Sequence, residues 1–91
     1  MMADADLRID CQANQDGWIC HVTVNEDDTQ TRHEVSISHD EMVRYGASTT
    51  SVVALVSEAF AFLLERESKE SILRSFALSD IERYFPEFGP R

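Results

Sequence analysis

The chain is poor in the residues that mark linkers and disulfide-stabilised scaffolds. Its 91 residues include three glycines, two prolines and two cysteines, whereas 43% are hydrophobic. This composition excludes a flexible linker, a repeat array and a disulfide framework, and it predicts one small globular domain over 1–91. We expect both cysteines to be thiols in a reducing compartment.

Long hydrophobic runs are also missing. The longest apolar stretch, 52–64, is interrupted by Ser57 and Glu58 and falls short of the ~20 residues that span a bilayer. The first ten residues, MMADADLRID, contain no cationic segment followed by an apolar one, so no secretory signal is predicted. We therefore expect a cytoplasmic protein that does not associate with membranes, with residues 1–6 disordered.

Positive charge is scarce. Lys and Arg number 8 against 17 Asp and Glu, which gives a net charge of −9. Such a chain repels nucleic acid phosphates and anionic membrane surfaces. Most of the acids lie in the first half, where Arg8 and Arg32 are the sole basic residues up to position 41. The charge favours a basic protein partner and makes nucleic acid an unfavourable one.

Three segments in the first half alternate apolar and polar residues with a period of two, which is typical of strands with one buried face. The sequence therefore predicts a three-stranded antiparallel meander whose third strand spans 32–38, after an acidic loop at 25–31. The predicted inward residues are Leu7, Ile9 and Cys11, then Trp18, Cys20, Val22 and Val24, then Val35 and Ile37.

The turn NQDG at 14–17 leaves two hairpin registers open. A four-residue loop places Cys11 directly across from Cys20, close enough for a disulfide to form on exposure to air. A two-residue turn at Asp16 and Gly17 shifts the register by two and separates the cysteines. Both registers keep the apolar face intact, so the pattern does not choose between them.

The second half reads as helical. Ser38 and Glu41 form a capping box for a short helix that ends at Gly46, and hydroxyls at 48–50 cap a long buried helix over 51–66. One or two C-terminal helices follow. Their predicted features are a helical face of Ile72, Leu73 and Phe76, a capping box at Ser79 and Glu82, and an apolar set of Ile81, Tyr84, Phe85 and Phe88 with Pro86 as the stop.

The long helix has more apolar surface than one sheet covers. Its apolar residues fill an arc of roughly 200°, against the ~100° stripe that a single neighbour needs. Either the C-terminal segment or a second copy of the chain must supply the other neighbour. The sequence therefore predicts a non-enzymatic protein-interaction domain that forms a homodimer or binds another protein. The predicted interaction surface comprises Val53, Phe60, Leu64, Tyr84, Phe85 and Phe88.

Catalytic and metal-binding patterns are weak. Cys11, Cys20, His21 and His33 are the available soft ligands, but alternation places Cys20 and His21 on opposite faces, and no zinc spacing is present. We interpret them as a small buried hydrophobe and exposed imidazoles. The acids at 26–28 are interpreted as a solvated turn and not as a calcium loop. We predict no catalytic residues, no metal and no cofactor.

The block EAFAFLLERESKESILRSFALSDIERYFPEF, 58–88, resembles a family of small bacterial proteins of unknown function. Their shared signature, FLLERE-x-KESIL followed by a phenylalanine and RYFPE, matches at 62–67, 69–73, 76 and 83–87. The resemblance implies a similar fold and no particular activity.

The order of a strand over 32–38 and two helices also resembles ribbon-helix-helix repressors and related antitoxins. A dimer of that kind would account for the wide apolar arc. The departures are two extra strands, a short first helix, and Glu34 beside Arg32 and His33 on the strand that would contact DNA bases. A ribbon-helix-helix-like regulator or antitoxin is therefore the alternative function.

Overall fold

The computed structural model describes residues 6–46 and 51–89. Over these residues the chain is an α+β fold in which helices pack against a four-stranded sheet. The elements in chain order are β1 (Asp6–Asn14), β2 (Gly17–Glu26), β3 (Thr29–Ser38), α1 (His39–Tyr45), α2 (Val52–Leu64), β4 (Ser75–Ala77) and α3 (Asp80–Tyr84), with 3-10 turns at Lys69–Ser71 and Pro86–Phe88. The predicted disordered segment lies outside the described residues except for Asp6, which begins β1.

The first hairpin adopts the register that places the cysteines opposite each other. Cys11 pairs with Cys20 and Asn14 with Gly17, so the connecting loop is Gln15 and Asp16. The register is the one predicted for a four-residue loop, but the strands pair one step further and shorten the loop to two residues. The Cα atoms of the two cysteines are 4.0 Å apart and their sulfurs form a disulfide. The expectation of two free thiols is therefore wrong, because direct opposition across two strands brings the two Cβ atoms within bonding reach.

The second hairpin is tighter than the predicted acidic loop. β2 runs to Glu26 and β3 begins at Thr29, so Asp27 and Asp28 alone form the turn. Both have positive φ, 54° and 65°. That backbone is characteristic of a two-residue hairpin turn, and Asp tolerates it better than most residues. The acidic segment thus mostly belongs to the strands.

The sheet contains a fourth strand that the sequence analysis missed. β4 pairs parallel to β3, with Val35 opposite Phe76, so the sheet is mixed and the prediction of three antiparallel strands is incomplete. The predicted helical face of Ile72, Leu73 and Phe76 is wrong. Ile72 and Phe76 are buried, but Leu73 is 50% exposed, because the segment between the 3-10 turn at Lys69–Ser71 and β4 is not helical.

The helix caps agree in part with the sequence. Ser38 and Glu41 form the predicted capping box, and Gly46 ends α1. The hydroxyls at 48–50 lie outside the described residues, and Ser51 caps α2 by accepting from the Ala54 N–H. The capping box predicted at Ser79 is absent, since its side chain makes no cap bond.

The core lies between the sheet and α2, and the chain itself covers most of the wide apolar arc of α2, with Val53 left 41% exposed. Phe60 is fully buried beside the sheet residues. On another side, the Phe62 ring contacts Phe85 and Phe88, with ring centroids 5.9 Å and 5.1 Å apart. The C-terminal tail is therefore the second neighbour of α2, one of the two predicted alternatives. No helix in the described ranges is both long and apolar enough to cross a bilayer.

The position of β3 bears on the ribbon-helix-helix resemblance. In that architecture the strand before the two helices pairs with the same strand of a second copy. Here β3 lies inside the sheet, between β2 and β4. Much of its length is thus paired on both sides within one chain, and the ribbon arrangement is not the one observed.

Candidate functional site

A groove lined mainly by apolar side chains lies beside the end of α2, and we call it the C-terminal groove. Its volume is about 350 Å³, within the size range of ligand pockets. Four buried apolar side chains line it, namely Leu63, Ile72, Phe76 and Ile81. They come from α2, the segment before β4, β4 itself and α3, so the groove exists only in the folded chain.

The outer part of the groove carries exposed apolar side chains. Leu73 is 50% exposed and Tyr84 is 68% exposed, and the half-buried Phe85 lies beside them. Apolar residues that are exposed together around a concave surface are typical of binding sites, whereas scattered ones are ordinary. These three residues make the groove the strongest candidate site.

The charged residues that line the groove are acidic. The Glu67 carboxylate has no hydrogen-bond or ion-pair partner among residues 6–46 and 51–89, and Asp80 contacts the exposed guanidinium of Arg83 at 3.5 Å. The second oxygen of Asp80 accepts the Ala77 N–H at 3.0 Å. No Lys or Arg of the described chain lines the groove. Its surface is therefore apolar with carboxylates, a combination that complements a cation attached to an apolar group.

The basic side chains Arg66 and Lys69 are engaged with acids elsewhere. Arg66 contacts Glu65 at 3.3 Å and Glu87 at 3.4 Å. The buried Lys69 ammonium lies 2.9 Å from Glu70 and 3.8 Å from Glu26, and the hydrogen bond with Glu70 raises the pKa of Lys69. These contacts hold the charges of Arg66 and Lys69 against acids that do not line the groove.

No protein-family model, curated protein or solved structure matches this chain. The resemblance to the FLLERE and RYFPE family therefore stays a prediction. The site must be interpreted from its own geometry.

One wall of the groove, α3, is held by the side chain of Glu41. Its Oε1 accepts the Ser38 N–H and its Oε2 accepts the Ser79 N–H, each at 2.8 Å. Burial would raise the pKa of Glu41, but the hydrogen bonds from Ser79 and Ser38 outweigh it and hold that pKa below its ordinary value. The carboxylate thus joins the starts of α1 and α3.

A second polar contact fastens the other side of α3 to α1. The Tyr45 hydroxyl donates to Glu82, and the Arg44 guanidinium lies 3.1 Å from the same carboxylate. The hydrogen bonds from Tyr45 and Arg44 lower the pKa of Glu82. Burial and the bond to Glu82 raise the pKa of Tyr45. Phe88 packs on the Tyr45 ring, with centroids 5.4 Å apart, so the tail is held as well.

His33 positions the backbone at the rim of the groove. Its imidazole is buried, contrary to the prediction of an exposed ring. Nδ1 lies 2.8 Å from the Leu73 carbonyl and Nε2 lies 2.8 Å from the Thr31 hydroxyl. Because a carbonyl only accepts, Nδ1 carries a proton and donates to the Leu73 carbonyl, while Nε2 forms a hydrogen bond with the Thr31 hydroxyl. His33 therefore connects β3 to the segment that presents Leu73.

The predicted surface residues fall in three places. Tyr84 and Phe85 line the groove. Val53 is 41% exposed on α2, Leu64 is half-buried, and Phe88 packs against Phe62. Phe60 has no exposed surface at all and contributes to the core. We therefore exclude Phe60 from any contact surface of the folded monomer.

Sequence reasoning missed Leu73 and Glu67 as site residues. Leu73 was assigned to a helical face with Ile72 and Phe76, and Glu67 was given no role. The local sequence does not exclude an exposed position for Leu73, because the run Ile72, Leu73 and Arg74 fits an extended segment as well as a helix. Nothing local marks Glu67, because its position beside the groove depends on where α3 packs.

The candidate metal ligands are dispersed. Cys11 and Cys20 are bonded to each other, His21 is exposed on the opposite face of β2 as alternation predicted, and His33 is engaged as described. Within the described parts of the chain no three His, Cys, Asp or Glu side chains converge on a metal-sized site.

Proposed function

We propose that this chain is a non-enzymatic protein-interaction domain whose C-terminal groove binds an apolar side chain of a basic partner protein. The observation that carries the proposal is the combination of exposed Leu73 and Tyr84 with the carboxylates of Glu67 and Asp80 around one concave surface. A cytoplasmic location belongs to the same proposal, although the disulfide is of a kind that oxidising compartments preserve.

The size of the groove sets the kind of contact. A cavity of about 350 Å³ accepts one or two large apolar side chains and is near the lower limit for small-molecule pockets. Binding energy in protein interfaces concentrates in a few such buried anchors. The anchor of the partner would displace water from Leu73 and Tyr84, which are otherwise solvated.

The carboxylates of the groove determine which partner residues bind beside the apolar anchor. The Glu67 carboxylate is available to a Lys or Arg of the partner because it has no hydrogen bond or ion pair among the described residues. The one cation that contacts Asp80 among those residues is the exposed Arg83. The net charge of −9 accelerates the approach of a basic protein and makes that approach sensitive to salt.

Selection from a random peptide library on the folded protein tests this proposal. We expect the enriched peptides to place Lys or Arg next to Leu, Met or an aromatic residue. Binding of one synthetic enriched peptide is then measured by calorimetry. Leu73→Ser should weaken it about tenfold or more, a loss typical of an interface anchor. Val43→Ser is the matched control, because Val43 is 78% exposed on α1, outside the groove.

A second pair of variants tests the charge. Glu67→Gln should weaken the peptide severalfold at low salt and less at high salt. Glu58→Gln removes the same charge from an exposed position on α2 that does not line the groove, and should leave binding unchanged. Enrichment of acidic peptides, or equal effects of Leu73→Ser and Val43→Ser, would contradict the proposal.

A further inference from the structure

β1 forms one end of the sheet, and its outer edge pairs with no strand in the described ranges. The strand is regular over nine residues, Asp6–Asn14, and contains no proline. An edge of this length presents a row of unpaired N–H and C=O groups that can pair with another chain. The outward backbone groups and the charged side chains of β1 indicate which chain can pair with this edge.

The hairpin register fixes which backbone groups point outward. In a hairpin with a two-residue loop the flanking residues, Asn14 and Gly17, form a hydrogen-bonded pair, and hydrogen-bonded and non-hydrogen-bonded pairs then alternate along the strands. Leu7, Ile9 and Cys11 therefore direct their N–H and C=O groups away from β2. The Cα separation of 4.0 Å between Cys11 and its partner agrees with a non-hydrogen-bonded pair, ~4.5 Å.

We propose that β1 is a homodimer interface in which two copies pair antiparallel about a two-fold axis at Ile9. In this register Ile9 faces Ile9 of the partner subunit, Leu7 faces the partner's Cys11, and Arg8 faces the partner's Asp10. The outward groups of Leu7, Ile9 and Cys11 then form about six main-chain hydrogen bonds. The two sheets become one continuous sheet with an isologous interface.

The charges of β1 select this register from its neighbours. An axis at Arg8 would place Arg8 against itself, and an axis at Asp10 would place Asp10 against itself; like charges directly opposite each other are unfavourable. An axis at Cys11 would place both charges against neutral residues. An axis at Leu7 would set Arg8 against the partner's Asp6, but it would pair only residues 6–8 within the strand. The axis at Ile9 matches opposite charges twice and pairs residues 6–12. It does so at non-hydrogen-bonded pairs, where facing side chains are closest.

The side chains of β1 suit such a contact. Arg8 and Asp10 are exposed, and neither has an ion-pair partner among residues 6–46 and 51–89. Leu7 and Ile9 are only partly buried, in contrast to the fully buried apolar residues of β2 and β3. A second copy would cover the edge beside them. The interface does not depend on the C-terminal groove, which lies near β4 at the other end of the sheet.

Charge reversal tests the register. By sedimentation equilibrium, Arg8→Asp should raise the dimer dissociation constant about tenfold or more, because two attractive pairs become repulsive. Asp10→Arg should do the same, and the double variant Arg8→Asp/Asp10→Arg should restore dimerisation. Arg32→Asp, which makes the same charge change at an exposed position of β3 away from this edge, should have no effect.

Hydrogen exchange identifies the surface independently. The amides of Leu7, Ile9 and Cys11 should exchange slowly in the wild-type dimer and quickly in monomeric Arg8→Asp, whose fold is checked by circular dichroism. A wild-type protein that is monomeric at its highest soluble concentration would overturn the proposal. So would a double variant weaker than both single variants, or a dimer whose β1 amides remain unprotected. None of these outcomes affects peptide binding in the groove.

Discussion

Glu41 is the residue on which the junction between α1 and α3 most depends. Its two carboxylate oxygens accept separate backbone N–H groups, from Ser38 and Ser79, each at 2.8 Å. A glutamine has the same shape but one acceptor oxygen, so Glu41→Gln leaves one N–H facing an NH₂ group. We expect the free energy of unfolding at pH 7 to fall by about 1.5–3 kcal/mol, the range for a hydrogen bond to a charged group.

The matched control is Asp40→Asn. Asp40 lies in the first turn of the same helix and is exposed. Its substitution removes the same charge from the helix N-terminus, which costs about 0.3–1 kcal/mol, without removing a tertiary hydrogen bond. The difference between the two variants therefore measures the contact with Ser79 and Ser38.

The pH dependence follows from the lowered pKa of Glu41. In the pH range between the folded and unfolded pKa values, the unfolded chain binds the proton more readily, so the stabilisation is complete above the ordinary carboxyl pKa. It is lost as the pH falls through the lower pKa of the folded state. The difference in the free energy of unfolding between wild type and Glu41→Gln should therefore become smaller as the pH falls.

Urea unfolding, followed by Trp18 fluorescence and circular dichroism, measures this difference. With a urea slope of about 1 kcal/mol/M for a domain of this size, the midpoint should move by roughly 1.5–3 M at pH 7. Equal midpoints for Glu41→Gln and Asp40→Asn would refute the reasoning. A difference that stays constant from pH 7 to the acid range would refute it as well.

Two further predictions concern the strands. Gly17 has φ +146°, and a Cβ there would lie 2.0 Å from the Ile37 carbonyl oxygen, so Gly17→Ala should cost about 3 kcal/mol or more. Its melting temperature should fall by more than about 10 °C, and a fall of only a few degrees would contradict the close approach. Reduction of Cys11 and Cys20, bonded at a sequence separation of 9, should raise the intact mass by ~2 Da and cost about 2.5 kcal/mol of stability. An intact mass unchanged by reductant, in protein purified in air, would argue against the bond.

The sequence by itself determined the strands of the meander and the start of α1. When one face of a strand is buried, period-two alternation determines which residues lie on that face. The predicted inward residues Cys20, Val22, Val24, Val35 and Ile37 are all in the core. The Ser38 capping box is equally local, because its donors and acceptors lie within three residues. The wide apolar arc of α2 correctly required a second neighbour, although it left the identity of that neighbour open.

Tertiary structure decided β4 and the C-terminal groove. The three residues of β4 are too few to show a period. They become a strand because the Glu34 N–H of β3 donates to the Arg74 carbonyl and the Leu78 N–H donates to the Ser36 carbonyl of β3. Likewise Glu41 accepts from Ser79 and His33 donates to Leu73 across 38 and 40 positions of chain. Local pattern carries no information about such contacts, since their partners meet only when the helices pack on the sheet. The fold class could therefore be predicted from the sequence, whereas the candidate site forms only when the elements pack together.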